Sequence, residues 1–102
     1  MVRNAKRIEY RISCQIGTIC KGGFINPQTV GYTVSLKCDN DLNLDERVHL
    51  GNILSQLIKE YGGAVIVYDP KIELYVTGEF KFKESVIYFI KNLELEFDVN
   101  QK

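Results

Sequence analysis

IEYRISCQIGTIC, residues 8–20, alternates apolar with polar residues, interrupted only at Thr18-Ile19. Ile8, Tyr10, Ile12, Cys14, Ile16, Thr18 and Cys20 occupy one parity; Glu9, Arg11, Ser13, Gln15 and Gly17 occupy the other. Side chains on a strand point to opposite faces in turn, so this pattern predicts a long strand with one face buried. Gly22-Gly23 and Asn26-Pro27 then read as a loop. A second strand is predicted over 30–38, with Val30, Tyr32, Val34, Leu36 and Cys38 on its apolar face. A hairpin about that loop would set Cys20 opposite Val30, Ile16 opposite Val34 and Cys14 opposite Leu36, bringing the two apolar faces together.

The composition supports strands. Ile, Val and Thr supply 24 residues against two alanines, and β-branched side chains suit a pleated surface. One helix is nonetheless firm, at about 45–61. Leu50, Ile53, Leu54, Leu57, Ile58 and Tyr61 fall at i, i+3, i+4, i+7, i+8 and i+11, a single apolar stripe. Asn43 or Asp45 can cap its first turn, Asp45 and Glu46 suit the positive end of its dipole, and Gly62-Gly63 can end it.

Residues 64–68, AVIVY, are apolar at every position and predict a central strand covered on both faces. Asp69-Pro70 makes a turn. Residues 72–82 alternate again, and Gly78 marks a bulge or a close backbone contact. Residues 84–91 fit both a short helix, through Val86, Phe89 and Ile90, and a strand. Leu93, Leu95, Phe97 and Val99 alternate with acids as an edge strand would. The fold class is therefore α+β: a mostly antiparallel sheet of about five strands with one firm helix and a candidate second one. The chain length of 102 residues suits a single domain. Two alternative alignments of the strands admit related ββα halves, 7–61 and 63–99.

Lys and Arg number 13, as do Asp and Glu, so the net charge is zero. That disfavours a uniformly basic nucleic-acid binder. The charge is nevertheless segregated. Residues 1–38 carry Arg3, Lys6, Arg7, Arg11, Lys21 and Lys37 against Glu9 alone, and the remainder is correspondingly acidic. Such a split hints at an electrostatic partner or at self-association. Apolar runs stop at five residues, too short for a membrane helix, and the basic start has no apolar segment behind it. An intracellular setting is expected. Three cysteines with no C-x-x-C do not suggest a disulfide scaffold; they read as small apolar residues on strand faces.

Catalysis needs a nucleophile, a base and an orienting group together. His49 is the one histidine and lies off the helix's apolar stripe. No phosphate-binding glycine motif occurs. Asp39, Asp41 and Asp45 lack the glycine and closing Glu of a calcium loop. No enzyme, metal or cofactor is expected. The leading expectation is a protein-interaction module that takes a peptide, a protein or a second copy of the chain in a groove or at a sheet edge. Val65, Val67, Tyr75, Ile87 and Phe89 are the candidate contact residues, with hairpin register expected to set Tyr75 near Val65. The alternative is nucleic-acid binding through Arg3, Lys6, Arg7, Arg11 and Lys21.

Over its whole length the chain also resembles the small orphan proteins of Acidianus filamentous viruses, which infect hyperthermophilic archaea. IEYRISCQIGTIC, IELYVTGEFKF and ERVHLGNILSQLIKEY are the segments that carry the likeness. The resemblance implies a life in the cytoplasm of an archaeal host or a place in the virion. It brings no catalytic residues with it.

Overall fold

The structure is a computed structural model that describes residues 7–38, 42–71 and 75–101, with the side chains of 18–21, 24–26 and 75 outside the description. The elements are β1 (Arg7–Lys21), β2 (Phe24–Cys38), α1 (Leu44–Glu60), β3 (Ala64–Asp69), β4 (Tyr75–Phe80), α2 (Lys83–Glu96) and β5 (Asp98–Gln101). The strands form one sheet in the order β3-β4-β2-β1-β5. Neighbours are antiparallel except β1 and β5, which run parallel. This is the expected α+β class.

The β1–β2 register differs from the expected one. Gly22 and Gly23, at φ 61° and 84°, make a two-residue turn. Strand pairing resumes at once, with Lys21 opposite Phe24, so residues 24–29 are strand rather than loop. Ile12 therefore faces Val34 and Cys14 faces Tyr32. A register shift between Gln15 and Ile16 leaves Val30 unpaired, a β-bulge on β2. Each strand is fifteen residues long, which at about 3.3 Å per residue is about 50 Å. The molecule's long axis is 55 Å.

Helix α1 starts at a capping box. Asn43 Oδ1 accepts the Glu46 N–H at 2.9 Å, and Glu46 Oε1 accepts the Asn43 N–H at 3.4 Å. It ends as a Schellman motif. Gly62, at φ 83°, donates its N–H to Lys59 O at 3.1 Å, and Gly63 donates to Ile58 O at 2.8 Å. Both ends are thus satisfied by residues whose types announce the role.

Both helices cover one face of the sheet. Leu50, Leu54 and Ile58 of α1 and Val86, Phe89, Ile90 and Leu93 of α2 are buried with Ile8, Val34, Leu36, Cys38, Val76, Phe80 and Phe97. The even-numbered face of β1 enters this core only at its start. Ile8 is buried, Tyr10 and Ile12 are half-buried, and Cys14 and Ile16 are exposed, because the hairpin runs beyond the helical layer. The reading of the cysteines as buried therefore holds for Cys38 and fails for Cys14; both are free thiols. Arg7 Nε lies 3.7 Å from Asp98 Oδ2 and ties β1 to β5. Both groups are exposed, so this pair contributes only a few tenths of a kcal/mol, roughly. Among the described residues, no helix is long and apolar enough to cross a membrane.

Two sequence expectations about the second half are corrected. Strand β3 is at the edge of the sheet, not its centre, and Ala64, Ile66 and Val67 are exposed. Residues 84–91 belong to a helix that continues through Leu93 and Leu95 to Glu96, so the final strand is only Asp98–Gln101. The helical period wins because Val86, Phe89, Ile90 and Leu93 bury one face on the sheet. Gly78 does make a close contact: a Cβ there would lie 2.9 Å from two methyl groups of Ile58.

Gly51 is the glycine that sequence reading passed over. It sits in the middle of α1, and a Cβ on it would overlap the hydroxyl end of the Tyr68 side chain, at Cε2, Cζ and Oη. That ring is pinned from β3, its one hydroxyl proton shared between Arg47 O at 3.2 Å and Val48 O at 3.1 Å. Burial raises the Tyr68 phenol above its ordinary pKa. In Gly51→Ala, helix propensity would gain about 1 kcal/mol. Displacing the ring costs about 1–3 kcal/mol of overpacking and disturbs that shared hydrogen bond, worth about 1 kcal/mol. The clash wins: urea titration should show a net loss of about 1–3 kcal/mol, and a variant as stable as the parent would refute the packing argument.

Candidate functional site

The residues expected to form a partner surface are not brought together. Val65 faces the helices and is half-buried against the core, opposite Gly78. A bulge between Val65 and Val67 then reverses the alternation. Val67, opposite Thr77, therefore lies on the other face of the sheet and is 48% exposed. Tyr75 is paired with Asp69 and Lys37, not set beside Val65, and its side chain lies outside the described residues. Ile87 is exposed on α2. Phe89 is fully buried, its ring centroid 5.4 Å from that of Phe80. Phe89 is core, and its assignment to a contact surface is withdrawn.

The basic set is scattered differently. Arg3 and Lys6 lie outside the described residues, as does the side chain of Lys21. Arg7 stands at the root of β1 beside Asp98. Arg11 is exposed on the sheet face that no helix covers. His49 is exposed on α1. Among the described residues, no group of three His, Cys, Asp or Glu is placed to hold a metal ion.

Two depressions open on the helical layer instead. One, of about 360 Å³, runs along α1 and is lined by His49, Asn52, Ile53, Gln56, Leu57 and Glu60. The other, of about 430 Å³, lies where the end of α1 meets α2 and is lined by Tyr61, Tyr88, Lys91, Asn92 and Leu95. Tyr88 is 59% and Leu95 64% exposed. These are large apolar or amphipathic groups, bordered by amide, imidazole, ammonium and carboxylate groups. On the far flank of α2, Glu94 reaches toward β1: burial first, then the Glu94 carboxylate, raises the Tyr10 phenol above its ordinary pKa.

The sequence held a partial signal for this surface. Leu57 and Tyr61 belong to the α1 stripe but lie toward its edge, where they are half-buried. Tyr88, Asn92 and Leu95 follow at i, i+4 and i+7, a second helical row that a strand reading of 84–99 hides. Against this geometry, comparison with protein-family models, curated proteins and solved structures finds no match to the chain.

Proposed function

We propose that the chain is a non-enzymatic protein-interaction module that receives a peptide or protein partner on its helical layer, in the setting its viral resemblance implies, the host cytoplasm or the virion. One observation carries the reading. Ile53 and Leu57 of α1, Tyr61 at its C-cap, and Tyr88 and Leu95 of α2 leave apolar surface in these two depressions. His49, Gln56, Lys91 and Asn92 edge it with polar groups. An apolar centre with tyrosines and a polar rim is the composition of a protein-binding patch.

The test is comparative capture from host extract. Tyrosine anchors commonly supply more than about 1–2 kcal/mol of binding when removed. Leu95→Glu and Tyr88→Ala are therefore expected to retain a specific partner at least about tenfold less than the parent. Val67→Glu, on the opposite face, is expected to retain it normally. Because Tyr88 and Leu95 are exposed, thermal unfolding should be nearly unchanged in both variants. Equal capture by parent and Leu95→Glu would remove the helical layer from consideration.

A further inference from the structure

Beyond the helical layer, we propose that the chain pairs with a second copy of itself, edge to edge, through the outer edge of β1. Strand β5 covers that edge only along residues 7–10. From Arg11 to Lys21 no strand pairs with it among the described residues. The N–H and C=O groups of a free edge are a template for another strand, and folded proteins blunt such an edge with proline, charge or a bulge. The opposite edge of the ribbon is blunted in this way: β2 carries Pro27, which has no N–H to give, and the bulge at Val30. Between Ile12 and Cys20, β1 holds no proline and no charge, and the extra residue of the bulge lies on its neighbour.

This edge matches itself. Ile12, Cys14 and Ile16 share one face of β1, and Ser13 and Gln15 share the other. Two antiparallel copies related by a two-fold axis through a residue keep like faces together. The uncharged stretch 12–20 sets no like charges opposite each other. The open length is also the length of the segment that would fill it, since both belong to the same ribbon.

The end of β5 fixes the register. Gln101 already pairs with Tyr10 on this edge. An axis at Gln15 would run Cys20 of the second copy onto Tyr10, a place that is taken. An axis at Ile16 would bring Gly22 there and set Arg11 opposite Lys21, a like-charge pair. An axis at Gly17 clears both. Residues 13–21 of the two copies then pair: Ser13 with Lys21, Cys14 with Cys20, Gln15 with Ile19 and Ile16 with Thr18. Ile16, 62% exposed in the single chain, becomes the diagonal neighbour of its counterpart across the axis. A ladder over residues 13–21 is smaller than the roughly 20–30 residues a side of a standard interface, so the dimer should dissociate in the micromolar range.

The test is sedimentation equilibrium of the full chain under reducing conditions, from about 1 μM to about 1 mM. A monomer–dimer equilibrium is expected. Ile16→Lys and Ile16→Glu, each placing like charges beside the axis, should self-associate at least about tenfold more weakly. An equimolar mixture of the two should recover a one-to-one dimer. Both variants should melt as the parent does when dilute, because Ile16 is exposed. Register has its own readout. Facing residues have Cα atoms about 4.5–5.5 Å apart, within the span of about 4.4–6.8 Å that a disulfide bridges. Along one strand Cys14 and Cys20 are about 20 Å apart, so a disulfide joining them forms only between copies. Diamide, which takes up the two protons and two electrons released by the thiols, should give that linkage in the parent dimer. The proposal is overturned if the parent stays monomeric to about 1 mM, if the mixed Ile16 variants fail to associate, if the linkage is Cys14 to Cys14, or if Leu95→Glu abolishes the dimer, which would move the interface to the helical layer.

Discussion

Leu54→Asp is expected to leave no folded protein at neutral pH. Leu54 is fully buried at the centre of the α1 stripe, between Leu50 and Ile58 and above the sheet. Removing the leucine forfeits about 2–3 kcal/mol of burial. The carboxylate then costs several kcal/mol more, since the apolar groups gathered around that position offer no cation. A domain of this size has about 5–15 kcal/mol to lose. Far-UV circular dichroism at pH 7 should lack the native spectrum, and proteolysis should be rapid. Leu54→Ala supplies the contrast, because it loses only about 2–5 kcal/mol and should melt cooperatively at a lower temperature. A cooperative native-like melt for the aspartate variant would show that the helix is not seated as described.

Phe89→Ala is the second large effect, and it separates core from surface. Phe89 is fully buried and packs on Phe80 at a ring separation of 5.4 Å with the planes tilted by 39°. Truncation of such a ring typically costs about 3–5 kcal/mol, of which the aromatic pair accounts for about 1 kcal/mol. The melting temperature should fall by more than about 10 °C. A residue that served a partner would behave in the opposite way, with stability retained and binding lost. Ile87→Ala, two positions earlier and exposed, is the internal control and should melt within a few degrees of the parent. Near-equal melting of Phe89→Ala and the parent would restore Phe89 to the list of surface residues.

What the sequence disclosed follows from how local each signal is. Helix α1 is legible because its stripe, its Asn43–Glu46 box and its two glycines lie within about twenty contiguous residues and state one answer. The alternation over 8–20 likewise gives a strand. Register was beyond reach, because it turns on whether Gly22-Gly23 alone makes the turn or whether Asn26-Pro27 shares it. Both patterns are turn formers, and only the longer-range pairing decides. The two bulges, at Val30 and at Ile66, leave no local mark, yet each reverses which face the following residues occupy. That is why Val65 and Val67, two apart in sequence, end on opposite faces. An apolar run such as 64–68 is a weak guide to burial: it fits a covered central strand, and here it forms an edge. The surface on the helical layer was obscured for a related reason. Residues 84–99 carry a period of 2 and a period of 3.6 at once, and packing on the sheet selects the second.

The pairing of β5 with β1 has a consequence for how the molecule assembles. Arg7 meets Asp98 across an interval of 91 residues, and Tyr10 reaches Gln101 across the same interval. During vectorial synthesis the hairpin can form early, but the strand that closes its root follows every other strand of the sheet. Until then the outer edge of β1 is a template with no native occupant, and the chain must close a long loop before that contact returns any free energy. The four residues of β5 therefore act as a latch: they pair at the root of the ribbon, and among the described residues its tip has no neighbouring strand.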